Sequence, residues 1–141
     1  MAWLISFLMI CSFASAAVKF EKGFIKIGHK RLQVEIAKTF EQQQQGLMHR
    51  TKLGENEGMI FIFNEEDFRS FWMKNTLIDL SIGYFNKKNE LVEVIDMKAT
   101  SVLDINPPSY PTTKKAQYAV EVNKGWFSKN KIKLGSKWSW D

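Results

Sequence analysis

Met59-Ile60-Phe61-Ile62-Phe63 is an unbroken apolar run of strand length inside a chain of 141 residues. The run is too short for a buried helix, and Ile and Phe suit a pleated surface, so it predicts a strand covered on both faces. Upstream, Leu32-Gln33-Val34-Glu35-Ile36 alternates strictly and predicts a half-buried strand, entered through a turn at Gly28-His29. Ala17 to Ile27 reads as one or two short strands before that turn. Thr39-Phe40-Glu41-Gln42 has the pattern of a capping box. It opens one predicted helix at about residues 40–49, with Phe40, Leu47 and Met48 on one side.

Downstream, Asn64 to Asp67 is read as a turn into Phe71-Trp72-Met73-Lys74-Asn75-Thr76. Taken as a strand, this stretch puts Phe71, Met73 and Asn75 on one face and Trp72, Lys74 and Thr76 on the other. Leu80 to Phe85 and Glu90 to Met97 predict a hairpin across Asn86-Lys87-Lys88-Asn89. Pro107, Pro108 and Pro111 keep residues 99–115 irregular, and a loop of that length is more often functional than idle. Ala116 to Asn123 predicts a strand with Tyr118, Val120 and Val122 inward and Glu121 outward. Lys131 to Trp140 completes the set as a last, Trp-rich strand. Many short strands with one early helix predict a mainly β fold, a jelly-roll-like β-sandwich or small barrel.

Apolar residues at 45%, aromatics at 13% and charged residues at 25% predict a globular domain able to bury a core without staples. The net charge of +5 permits loose attraction to anionic surfaces. The lysines are scattered, and Lys129, Lys131, Lys133 and Lys137 alternate with other residues like the wet face of a strand, so no nucleic-acid partner is predicted. Trp3 to Phe13 is an apolar run followed by Ala14-Ser15-Ala16, a small-x-small cleavage pattern, although no Lys or Arg precedes it. The run is shorter than the about 20 residues that span a bilayer. The expectation is a signal peptide over residues 1–16, then one domain over residues 17–141, exported to the periplasm or outside the cell with no transmembrane segment. Cys11, the one cysteine, would leave with the signal.

Four motifs then line up with a known family. Gln45-Gly46-Leu47-Met48-His49-Arg50 with Leu53, Glu57 to Phe63, Phe71 to Thr76, and Glu121-Val122-Asn123-Lys124-Gly125-Trp126 resemble the domain of unknown function 192 family, in the right order, over about residues 20–138. The resemblance implies a compact, mainly β, jelly-roll-like domain, often exported, and it brings no activity with it. Two departures stand out. The family's usual Pro-Leu-Asp gives way here to Asp79-Leu80-Ser81, and its usual Arg before Gly-Leu-Met is Gln43.

Enzyme templates find little to match. There is no Gly-x-Ser-x-Gly elbow, no cysteine outside the signal and no phosphate-cradling Gly loop. His29 and His49 lack partners at metal-ligand spacing, and Met48, Met59, Met73 and Met97 read as core rather than a soft-metal site, so neither metal nor cofactor is predicted. Arg50, Trp72, Lys74, Asn75 and Glu121 are the candidate ligand-binding residues. Trp72 offers a stacking plane, and Arg50 and Lys74 offer donors for a carboxylate, a phosphate or sugar hydroxyls. Three functions follow. The first is a binding module for a polar, saccharide or anionic ligand centred on Phe71 to Thr76. The second is a hydrolase or lyase on an envelope substrate, using Glu57 with Glu121 or Glu121 with His49. The third is an accessory protein docking through Trp126, Trp138 and Trp140.

Overall fold

The computed structural model describes residues 16–141, so the expected signal lies outside the described residues apart from Ala16. The chain runs β1 (Glu21–Ile27), β2 (Lys30–Ala37), α1 (Phe40–Gln45), β3 (Glu57–Asp67), β4 (Ser70–Trp72) and β5 (Leu80–Phe85). It continues through β6 (Leu91–Met97), β7 (Ser109–Pro111), β8 (Ala116–Asn123), α2 (Trp126–Lys129) and β9 (Trp138–Trp140). Seven strands make one sheet in the order β6-β5-β8-β3-β2-β1-β9, and β4 pairs with β7 apart from it. Only β2 and β3 run parallel, because α1 and the loop after it carry the chain back to the same end before β3 starts.

The sheet curls until its two edges meet at one end. Glu90 bridges Lys137, Leu91 N–H donates to the Ser136 carbonyl at 2.8 Å, and Trp138 N–H donates to the Asn89 carbonyl at 3.1 Å. The result is a mainly β half-barrel, and the jelly-roll expectation is met only at that coarser level.

The apolar run in β3 sits where its composition places it. β3 lies between β2 and β8, and each of its faces meets a separate core. Ile60 points with Leu32, Val34, Val120 and Val122 into the hollow of the curl, which α2 plugs with Trp126 and Phe127. Met59 and Phe61 point the other way, to a second core with Tyr84, Ala119, Leu47 and Met73. The residues after α1 and the β4–β7 pair cover that second face. Phe71 seats the cover by meeting Phe61 edge-on at 4.8 Å and Tyr84 at 5.8 Å, contacts each worth about 0.5–1.5 kcal/mol beyond area burial.

Several elements differ from their sequence reading. The helix begins as expected, with the Thr39–Gln42 capping box formed on both sides, but ends at Gln45 rather than near 49. Gly46 stops it at φ 47°, so Leu47 reaches the core from a turn and Phe40 stays exposed. Asn64 to Asp67 extends β3 instead of turning. Phe71 to Thr76 keeps strand pairing only as far as Trp72. Beyond it Met73 N–H donates to the Pro108 carbonyl, Thr76 N–H donates to the Met73 carbonyl, and Asn75 adopts φ 52°. That turn breaks the alternation and buries Thr76 on the Met73 side. Positive φ at Lys131 and Gly135 likewise leaves only Trp138–Trp140 of the last strand. The short α2 has no counterpart in the sequence reading. Trp126 and Trp138 are buried, so the expected exposed Trp patch reduces to Trp140. Glu121 is buried rather than outward, because the face of β8 opposite Val120 is itself covered.

Gly58 marks the tightest strand approach. A Cβ there would lie 2.4 Å from the Glu121 backbone oxygen across the β3–β8 ladder. Gly58→Ala is expected to lower the unfolding free energy by about 2 kcal/mol in urea titration, since neither backbone can yield. An unchanged midpoint would show that the ladder relaxes there.

Candidate functional site

α1 and the β4–β7 pair stand on the second core without closing over it. Between them runs a groove of about 530 Å³ walled by Phe40, Phe61, Phe63, Phe68, Phe71 and Trp72. Gln43, Gln44, Arg69, Ser70 and Ser109 supply its polar atoms, and no carboxylate lines it. Phe40, Phe68 and Trp72 are 72%, 59% and 44% exposed, which is unusual for side chains of this size. They converge here because Phe40 opens α1, Phe68 lies in the link between β3 and β4, and Trp72 ends β4.

The cations around this groove lie over rings. The Arg69 guanidinium lies 4.0 Å from the centre of the Phe63 ring, donates through Nε to the Ala116 carbonyl at 3.1 Å, and also donates to the Glu65 carbonyl. Burial lowers its pKa from the ordinary value, against the opposing charges of Asp67 and Glu65. Lys74 Nζ sits 5.0 Å from the centre of the Trp72 ring, and Lys115 Nζ 5.7 Å from that of Phe68. Gln43 Nε2 is spent on the Ile62 carbonyl at 2.9 Å.

Adjoining the groove is a cavity of about 20 Å³ that shares Gln43, Gln44, Phe61, Phe71 and Trp72 as walls. Glu121 and Thr76 lie on this cavity. Glu121 is 5% exposed, and burial alone pushes its carboxyl up to about 8. Tyr84, two residues along β5 from Ile82, the register partner of Glu121, is raised further above its ordinary value by burial first and then by the charges of Glu121 and Glu93. Its hydroxyl has no hydrogen-bond partner among the described residues.

The family model DUF192, described as Uncharacterized ACR, matches residues 24–140. The chain belongs to this family. A Novosphingobium aromaticivorans DSM 12444 protein of unknown function superposes with a TM-score of 0.71 at 30% identity, over 90% of this chain and 94% of that one. A Sinorhizobium meliloti 1021 protein described as a candidate transcription regulator gives a TM-score of 0.78 at 22% identity, over 89% and 98% of the two chains. That second likeness is one of fold. No curated protein matches the chain.

The DUF192 structure separates the five sequence candidates. Trp72 lines the groove with Lys74 beside its ring, and Glu121 lines the adjoining cavity. Arg50 stands elsewhere: its Nη2 pairs with Glu35 at 2.8 Å, in a different hollow lined by Lys52 and Glu57. Asn75 contributes its backbone, the carbonyl accepting from His49 N–H at 2.8 Å. Gln43 also lines the groove. Met59, Met73 and Met97 are core residues, and His29 and His49 are exposed. No helix among the described residues is long and apolar enough to cross a membrane. Phe40, Phe68, Arg69 and Gln44 escaped the sequence reading. Phe40 carried a usable signal, since Gln43 and Gln44 at the next helical turn give it no apolar partner.

The raised Glu121 carboxyl fixes a pH dependence. The folded chain holds this proton more tightly than the unfolded chain, whose carboxyl titrates near 4.5, so stability falls as pH rises from about 4.5 to about 8. Of the titratable side chains on the surrounding elements, Tyr84 shares its face. Glu57 and His49 are exposed, Lys74 is over Trp72, and Arg50 is paired with Glu35. Wild type is therefore expected to lose roughly 4 kcal/mol across that window relative to Glu121→Gln in paired urea titrations. Parallel curves for the two proteins would show that Glu121 ionises freely.

Proposed function

We propose that this domain is an exported binding module for a saccharide, seated in the aromatic groove between α1 and the β4–β7 pair. The convergence of three exposed aromatic rings on one groove carries this reading. Sugars present flat C–H faces that stack on such rings and hydroxyl edges that need amide and hydroxyl partners. Gln44, Ser70 and Ser109 offer those partners beside the rings. Lys74 and Arg69, with no carboxylate lining the groove, make it tolerant of acidic substituents on the sugar. The apolar run and Ala14-Ser15-Ala16 support export.

Bond cleavage is less well supported by the geometry. Glu121 stands without a second carboxylate on either the groove or the inner cavity, and Glu57 lines a different hollow. The inner cavity, at about 20 Å³ against about 530 Å³ for the groove, is too small to seat a glycosidic oxygen with a sugar ring on either side. Docking of a protein through the Trp-rich end loses its basis with Trp126 and Trp138 buried.

The experiment is thermal unfolding and Trp fluorescence of the protein against neutral and acidic oligosaccharides, with peptides, phosphates and metal ions as controls. A sugar at a hundred times its dissociation constant is expected to add about 2.7 kcal/mol of stability, an effect lost in Trp72→Ala. Lys74→Ala is expected to weaken acidic sugars selectively, because Lys74 is exposed and has no part in the core. Stabilisation by peptides or phosphates alone would remove the saccharide reading.

A further inference from the structure

We infer that the cavity beneath Trp72 is the inner subsite of the groove, taking one terminal hydroxyl of a bound saccharide and pairing it with the Glu121 carboxyl. This rests on the saccharide reading of the groove and adds which part of the ligand is recognised. Three observations carry it.

The first is size. At about 20 Å³ the cavity is a small fraction of the groove at about 530 Å³, so it takes a small polar group and not a ring-sized one. A hydroxyl fits, and a ring does not.

The second is the polar inventory. Burial is the only influence acting on the Glu121 carboxyl, with no hydrogen bond to another described residue offsetting it. A buried polar group of this kind is costly until something pairs with it. The Thr76 hydroxyl donates to the Lys74 carbonyl at 3.0 Å, so its oxygen still has acceptor capacity toward the cavity. Gln44 and Gln45 border the same space. A hydroxyl both donates and accepts, and a protonated carboxyl does the same, so the two satisfy each other in both directions.

The third is continuity. Gln44, Phe71 and Trp72 belong to both spaces, so a sugar stacked in the groove needs only one substituent pointing inward to reach Glu121. Discrimination should then be sharp. A buried site built to bond a hydroxyl rejects the analogue lacking it, because its own polar groups are left unpaired.

The test uses the protein with oligosaccharides of glucose, galactose and N-acetylglucosamine, followed by the monodeoxy analogues of whichever sugar binds. Affinities are measured by calorimetry on wild type and on Glu121→Gln and Glu121→Ala, after circular dichroism confirms each variant is folded. The expected result is one deoxy position that weakens wild-type binding tenfold or more, while the other positions change it less than threefold. Glu121→Ala should bind the parent sugar and that deoxy analogue within threefold of each other. The wild-type deoxy series stands by itself even where a variant fails to fold. Uniform tolerance of every deoxy analogue by wild type, or unchanged discrimination in folded Glu121→Ala, overturns the subsite while leaving the groove as a saccharide site. Absence of any saccharide binding overturns the groove reading and the subsite with it.

Discussion

The fold rests on the antiparallel ladder between β3 and β8. It runs from Gly58 opposite Val122 to Ile62 opposite Tyr118, at the centre of the sheet and between two cores. Since neither face of this ladder meets solvent, the elements around it serve as covers. α2 and Trp138 fill the hollow of the curl. On the opposite face, Leu47 from the turn after α1 and Met73 from the exit of β4 close the second core. A carboxylate on this ladder has no route to water except through its cover. Glu121 is in that position, and its raised pKa and its place on the cavity adjoining the groove follow from one fact of topology.

Much of the framework was legible because its signals are local. The alternation of Leu32 to Ile36, the turn at Asn86 to Asn89 and the Thr39 capping box each act within a few residues, and each is found as read. The misreadings share a cause: the competing interaction came from far along the chain. Nothing near Met73 announces that its cross-strand partner is Pro108, which has no N–H to return the bond, so the pairing that its own alternation predicts stops there. Nor does β8 show locally that both its faces are covered, so Glu121 read as the wet side of a half-buried strand. The curl of the sheet, closed by the Glu90–Lys137 bridge between distant segments, was equally out of reach.

The candidate site divides in the same way. Trp72 and Lys74 were visible because an aromatic beside a cation is a local pattern, and the structure keeps them together. Arg50 was drawn in by proximity in the motif, yet Glu35, its partner on β2, holds it in a separate hollow. The other groove residues come from α1, β3, β4, β7 and the link between β3 and β4, segments far apart in the chain that meet on one sheet face. Composition offers no signal for such a meeting. Phe40 was the exception, a large apolar residue on a helix with no apolar companion one turn on.

The six residues from Phe71 to Thr76 divide labour by position. Phe71, Met73 and Thr76 face the core or the buried turn, and Asn75 holds a backbone conformation that few side chains accept. Trp72 and Lys74 stand between them and contribute nothing to the core. Selection can therefore act on these two positions almost independently of the rest. A substitution at either position alters the exposed surface and spares the second core, whereas one at Phe71, Met73 or Thr76 reaches the buried side.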